Sequence, residues 1–259
     1  MKQSAFLWIS IVITAVVAFS IWWFVLGNPA NFKDGENRKV PENLLGTVYT
    51  GGYVVPFLIT LTLLNVTLVF ERMLSLRKAN GRASLPSFLK SVQTNLMKGN
   101  IDDAMKACDA QRGSAASIIR TGLERYKAIL QDKKLDSEKK MAETARAIEE
   151  ATSLETPLLE RNLVALSTIA SIATMAGLLG TTIGMIRAFA ALAQAGSPDA
   201  IELSIGISEA LINTALGLLA AIIGIVAYNF FVTKVDNFTY MIDEASYNVV
   251  QILNTKTTD

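Results

Sequence analysis

Four stretches of the chain stay apolar long enough to make their few polar residues conspicuous. Ala5 to Leu26 and Tyr53 to Phe70 hold no charge, and Glu71 and Arg72 close the second of them. Leu163 runs past Ala195 with Arg187 as its one charge, and Leu203 to Val232, ending before Lys234, carries only Glu209. A helix needs roughly 20 mainly apolar residues to cross a hydrocarbon core about 30 Å thick. All four stretches therefore predict transmembrane helices. The first exceeds the apolar core of a secretory signal, and no A-x-A site follows Phe24, which favours an uncleaved helix.

Between the second and third stretches the periodicity becomes that of helices with one apolar face. Leu85, Phe88, Leu89, Val92 and Leu96 recur at helical spacing, and Asn100 stands where it can cap a helix whose first turn holds Asp102 and Asp103. Gly113 can close that helix, and Ser114 can cap the next, through Leu130. The charged run Asp132 to Lys140 reads as a solvated turn. From Ser137 the pattern stays helical into the third apolar stretch, with Pro157 marking either a kink or a boundary. A helix unbroken from there to Ala195 would be roughly 85 Å long, nearly three times the hydrocarbon thickness.

Basic residues gather on cytoplasmic flanks. Arg72, Arg77, Lys78 and Arg82 follow the second stretch, while Gly196 to Ala200, between the third and fourth, has none. The region Glu71 to Asn162 is thus expected in the cytoplasm with both chain ends, and Gly27 to Gly52 outside. Of 259 residues, 51% are hydrophobic and 18% charged, more apolar than an ordinary globular domain. A net charge of +1 offers no field to gather nucleic acid. The chain has no histidine, which excludes histidine zinc sites and Ser/His/Asp or Cys/His nucleophiles, and its one cysteine, Cys108, has no internal disulfide partner. Neither an enzyme nor a metal or cofactor site is expected.

The third and fourth stretches carry the candidate chemistry. Ala170, Ala173, Gly177, Gly180, Gly184, Ala188 and Ala191 form a stripe of small residues, and Gly206, Ala210, Asn213, Gly217, Ala220 and Gly224 repeat the design. Such stripes let helix backbones approach closely in lipid, where packing drives association, and they predict a ring of subunits with these two helices innermost. Ser167, Thr174 and Thr181 recur every seven residues beside the first stripe. A single membrane hydroxyl ordinarily bonds its own backbone carbonyl, whereas a run on one face suggests a wet lining. Glu209 would cost about 2.5 to 3.5 kcal/mol near the bilayer centre, so it should face a cavity or a partner unless it reaches surface water. Thr214 lies five residues on, about 140° around the helix. Asn213 is suited to gluing helices together, and Arg187 is expected to snorkel to the interface rather than pair with an acid.

The blocks I-A-S-I-A-T-M-A-G-L-L-G-T-T-I-G-M-I and I-S-E-A-L-I-N-T-A-L-G-L-L-A-A-I-I-G-I-V-A-Y-N-F resemble the two core membrane helices of the MotA/TolQ/ExbB proton channel family, and of ExbB most of all. Weaker likeness covers E-R-M-L-S-L-R and G-N-I-D-D-A-M-K-A-C, so that the resemblance runs from about Tyr53 onward. It implies a ring of five subunits around the helices of an ExbD-like single-span partner that brings a protonatable aspartate, with a TonB-like protein taking up the work. By motif position Thr181, Thr214 and Glu209 would line the ion path, with Gly177, Gly180, Gly184, Ala210, Gly217 and Gly224 packing the helices. No aspartate lies within the four stretches of this chain. Thr174 stands where the family usually has proline, and Thr182 where it has valine.

The reading is an all-α, polytopic inner-membrane protein with long helices reaching into the cytoplasm and assembling as a ring. Its segments are an N-terminal helix and external loop (1–52), a membrane helix (53–71), a cytoplasmic helical domain (72–162), a pore-lining helix (163–195), an external loop (196–202), a second pore-lining helix (203–233) and a cytoplasmic C-terminal helix (234–259). The expected function is an ExbB-like channel subunit energising TonB-dependent transport. A TolQ-like envelope-maintenance subunit, a motility stator and a non-conducting scaffold are the alternatives. A secondary transporter fits poorly, because no inverted repeat is evident.

Overall fold

The computed structural model describes residues 2–130, 136–194 and 200–258. Residues 131–135, which take in the charged run from Asp132 to Leu135, and the expected external loop as far as Asp199, lie outside them. The described residues form nine α-helices: α1 (Lys2–Ser20), α2 (Leu44–Tyr49), α3 (Val54–Asn80), α4 (Leu85–Met97), α5 (Ile101–Gln111), α6 (Ser114–Leu130), α7 (Ser137–Glu160), α8 (Leu163–Gln194) and α9 (Ala200–Thr258). Four helical segments are long and apolar enough to cross a membrane. The chain forms two compact units, one of Met1–Phe70 with Asn162–Asn229, the other of Glu71–Arg161 with Phe230–Asp259.

In the first unit α1 continues into a π-helical stretch, Ile21–Leu26, where the Asn31 side chain donates to the carbonyls of Val25 and Leu26 at 2.8 and 3.0 Å. Those bonds satisfy carbonyls that a helix end leaves without partners. Trp22 lies flat on Tyr49, ring centroids 4.9 Å apart, and is buried with Leu26 and Val55. A second cluster joins Leu58 and Leu61 of α3 to Ala173 of α8 and Ala220 of α9. Helix α3 thus has one apolar face against the N-terminal helix and another against the α8–α9 pair. Leu178, Leu179, Ile186 and Phe189 of α8 and Leu218, Leu219 and Ile222 of α9 point outward. In water such a surface would drive aggregation, but hydrocarbon accepts it without penalty.

The second unit buries the apolar faces its periodicity predicts. Leu85, Phe88, Val92 and Leu96 of α4 are inside, and Ile148 of α7 seats against Gly122 of α6. Burying each such side chain contributes about 1.5–3 kcal/mol. Gln111 binds the α3–α4 link, accepting from the Ala83 amide at 3.0 Å and donating to the carbonyls of Asn80 and Ala83. Arg72 is buried; its Nε and Nη2 each lie 2.6 Å from a Glu71 carboxylate oxygen. In α9, Phe231, Val235, Phe238, Ile242, Ala245 and Val249 are buried at alternating steps of four and three, the spacing of a coiled-coil seam.

Two local expectations change. Asn100 precedes α5 but makes no side-chain capping bond, its backbone amide turning back to the Asn95 carbonyl instead. Helix α7 passes through Pro157 and ends at Glu160; the boundary falls at Asn162, whose φ of +62° suits a short amide side chain that tolerates the left-handed region. Helix α9 runs unbroken from Ala200 to Thr258.

Candidate ion path between α8 and α9

The two stripes of small residues face each other inside one chain. A Cβ placed on Gly217 would lie 2.7 Å from the Ala173 carbonyl oxygen and 2.8 Å from Cα of Gly177, and one on Gly184 would meet the Ala210 amide nitrogen at 2.6 Å. Gly180 accommodates Asn213, and Gly224 accommodates Ala170. These separations exclude any side chain, so the helices touch backbone to backbone. Stripes consumed within the subunit carry no argument for or against contacts between subunits.

That contact brings two predicted lining residues together. The hydroxyls of Thr181 and Thr214 touch each other, and both reach the Ala210 carbonyl, Thr181 at 3.4 Å and Thr214 at 3.2 Å. Thr181 also lies 3.1 Å from the carbonyl of Gly177. Two hydroxyl protons are shared among these oxygens, so either threonine can give one acceptor up and turn toward a new one. The result is a neutral cluster of oxygens, able to solvate a hydrated proton or another small cation without fixing it by charge. Thr174 donates to the Ala170 carbonyl at 3.2 Å, and Thr182, exposed, to that of Leu179 at 2.7 Å.

Glu209 does not join them. Its side chain is 3% exposed, and both carboxylate oxygens accept from Nη1 of Arg187 at 2.8 Å. Arg187 therefore pairs with an acid, against the expectation that it snorkels, although 55% of its side chain stays exposed. The same geometry serves both demands: one nitrogen reaches inward while the rest of the guanidinium faces out. Gly52, at φ +74°, covers the carboxylate, and a Cβ there would lie 2.7 Å from Oε1. One residue earlier the Gly51 carbonyl accepts from Asn213 at 2.9 Å, so that the link between α2 and α3 is fastened to α9.

Two features escaped the sequence reading. Arg187 and Glu209 are 22 residues apart on different helices, and only the α8–α9 contact makes them neighbours. Asn65 is fully buried and donates to the Ala220 carbonyl at 3.0 Å. Its signal was present, a lone amide in an otherwise apolar run. Among the described residues, no hydrogen-bond donor reaches the buried Oδ1 atoms of Asn65 and Asn213.

A family model described as the MotA/TolQ/ExbB proton channel family matches residues 111–244, just over half the chain. Among curated proteins, the chain is 38% identical over 114 residues to a Tol-Pal system protein TolQ of Pseudomonas aeruginosa, covering 44% of this chain and 49% of that one. It is 28% identical over 199 residues to a putative biopolymer transport protein ExbB homolog of Methanothermobacter thermautotrophicus, covering 75% and 66%. To a biopolymer transport protein ExbB of Aquifex aeolicus it is 36% identical over 117 residues, covering 45% and 71%. The matches span about half of the first of these relatives and just under two thirds of the second.

Proposed function

We propose, since this chain belongs to the MotA/TolQ/ExbB proton channel family, that it is a non-enzymatic inner-membrane subunit that turns proton flow into mechanical work. Five copies would form a ring around the helices of an ExbD-like partner, with a TonB-like protein carrying the work to an outer-membrane transporter. The supporting observation is the Thr181–Thr214 hydroxyl contact between two apolar stretches, 163–195 and 203–232, that carry no aspartate, inside the region the family model covers. A partner carboxylate moving past this cluster would find oxygens able to solvate its proton and the accompanying water. Each charge crossing 100 mV releases about 2.3 kcal/mol, so a few protons per step exceed the cost of small helix slippage. Glu209, held by Arg187, would act as a fixed anion beside the path rather than as a carrier. The cytoplasmic placement of residues 72–162 belongs to the same proposal.

Thr181→Val and Thr214→Val test it, because each deletes a hydroxyl at nearly constant volume. Both variants are expected to assemble and co-purify with the partner, yet lose transport driven by the proton gradient. Wild-type rates in both would leave the scaffold reading as the better account. Topology is checked with Cys108 removed: a cysteine at Ser197, outside the described residues, should react with an impermeant thiol reagent added to spheroplasts, and one at Ser114 should not. The TolQ match favours a second reading in envelope maintenance. Deletion of the gene separates the two, since an uptake defect follows from the first and detergent sensitivity from the second.

A further inference from the structure

The second unit holds a cavity of about 410 Å³ lined by the start of its share of α3, from Met73 to Asn80, and by Phe230 to Met241 of α9. Its floor is apolar, with Phe231 and Phe238 buried, while Met73 and Phe230 leave apolar surface open at its side. Its charges are both positive. Arg77 and Lys234 line it, no acid does, and among the described residues neither cation has a carboxylate partner. Lys234 is held over the Phe230 ring, 5.1 Å from its centroid. Each helix reaches this cavity within about two turns of leaving its apolar run, α3 after Phe70 and α9 after Val232.

We infer that this cavity binds one anionic phospholipid. Two cations without acids complement a phosphodiester of net negative charge, and the side chains of Asn80 and Asn237 supply further donors for it. The apolar floor and open side suit an acyl chain that continues into hydrocarbon. A zwitterionic headgroup is the wrong match, because its own ammonium would meet Lys234. The position also fits: where two spans leave the apolar core is the depth at which lipid phosphates lie. The inference needs only that these helices are embedded in a bilayer, so it can hold even if proton coupling does not.

The test is native mass spectrometry of the full chain released from nanodiscs holding equal dioleoylphosphatidylglycerol and dioleoylphosphatidylcholine. Wild type should keep one phosphatidylglycerol per chain, favoured over phosphatidylcholine by about thirtyfold if each of two basic residues contributes as at an anionic membrane surface. Arg77→Gln with Lys234→Gln should lose that preference, and the charge-conserving pair Arg77→Lys with Lys234→Arg should keep it. Equal retention of both lipids by wild type would overturn the inference whether or not the variants fold. So would undiminished phosphatidylglycerol on the folded glutamine pair, or displacement of the lipid by inorganic phosphate alone. Cross-linking of two chains through a cysteine at Asn237, with no lipid retained, would mean that a second copy fills the cavity.

Discussion

Replacing Arg187 with glutamine should destabilise the protein far more than replacing its partner. The pair is lopsided: the Glu209 side chain is 3% exposed and the Arg187 side chain 55%, with one guanidinium nitrogen 2.8 Å from both carboxylate oxygens. Arg187→Gln strands a carboxylate beneath Gly52 and away from solvent, a situation that costs about 3–5 kcal/mol when a buried pair loses one member. Glu209→Gln leaves a guanidinium whose outer nitrogens already face outward, so the loss should be nearer the 0–1 kcal/mol of an exposed pair. The double substitution removes the stranded charge and should recover most of what Arg187→Gln loses. Unfolding of the purified chain in mixed micelles, titrated with denaturing detergent, gives the three differences and their coupling. Equal losses in the two single variants, or a double variant as unstable as Arg187→Gln, would refute the argument that burial of the carboxylate sets the energetics.

Gly217→Leu should lower stability by about 3 kcal/mol or more, because overpacking costs 1–3 kcal/mol even in cores that can relax and here the obstacle is the backbone of α8; thermal melting in detergent measures it. Cys108 is buried and its thiol pushed up to about 12, chiefly by desolvation and then by the Asp109 charge. It should therefore resist alkylation at pH 8 in the folded protein and react once denaturant is added, as mass spectrometry will register. Arg125 beside Glu143 holds that carboxyl below its ordinary value of 4.5. The pair's contribution is then complete above 4.5 and lost as pH falls through the lowered value, so Arg125→Gln should flatten the acid limb of a stability–pH profile.

The parts of the fold that the sequence disclosed were those governed by local repetition. The buried face of α4 follows from the spacing of Leu85, Phe88, Val92 and Leu96, and the glycines that line the α8–α9 contact stand in the stripes read from the chain. What a stripe could not disclose was its counterpart, since small residues at helical spacing fit a neighbour in the same chain as well as one in another. The pairing of Arg187 with Glu209 and the bond from Asn65 to Ala220 depend on helices meeting, which local pattern does not encode. The break at Asn162 was hidden for another reason. Pro157 is the stronger helix breaker in isolation, yet α7 tolerates it, and the chain turns where an amide side chain accepts a positive φ.

Because α8 meets α9 through Gly177, Gly184 and Gly217, the distance between the two helices is set by atoms that have no rotamers to change. Longer side chains would make that spacing adjustable, and the separation of the Thr181 and Thr214 hydroxyls would drift with them. As built, the gap behaves like a machined tolerance: the hydroxyl pair keeps its width while the surrounding apolar residues are free to vary. Sequence drift in this hairpin should therefore be strongly uneven, wide latitude on the outward faces and almost none at the three glycines, since adding a single methyl group there resets the dimension on which the hydroxyl contact depends.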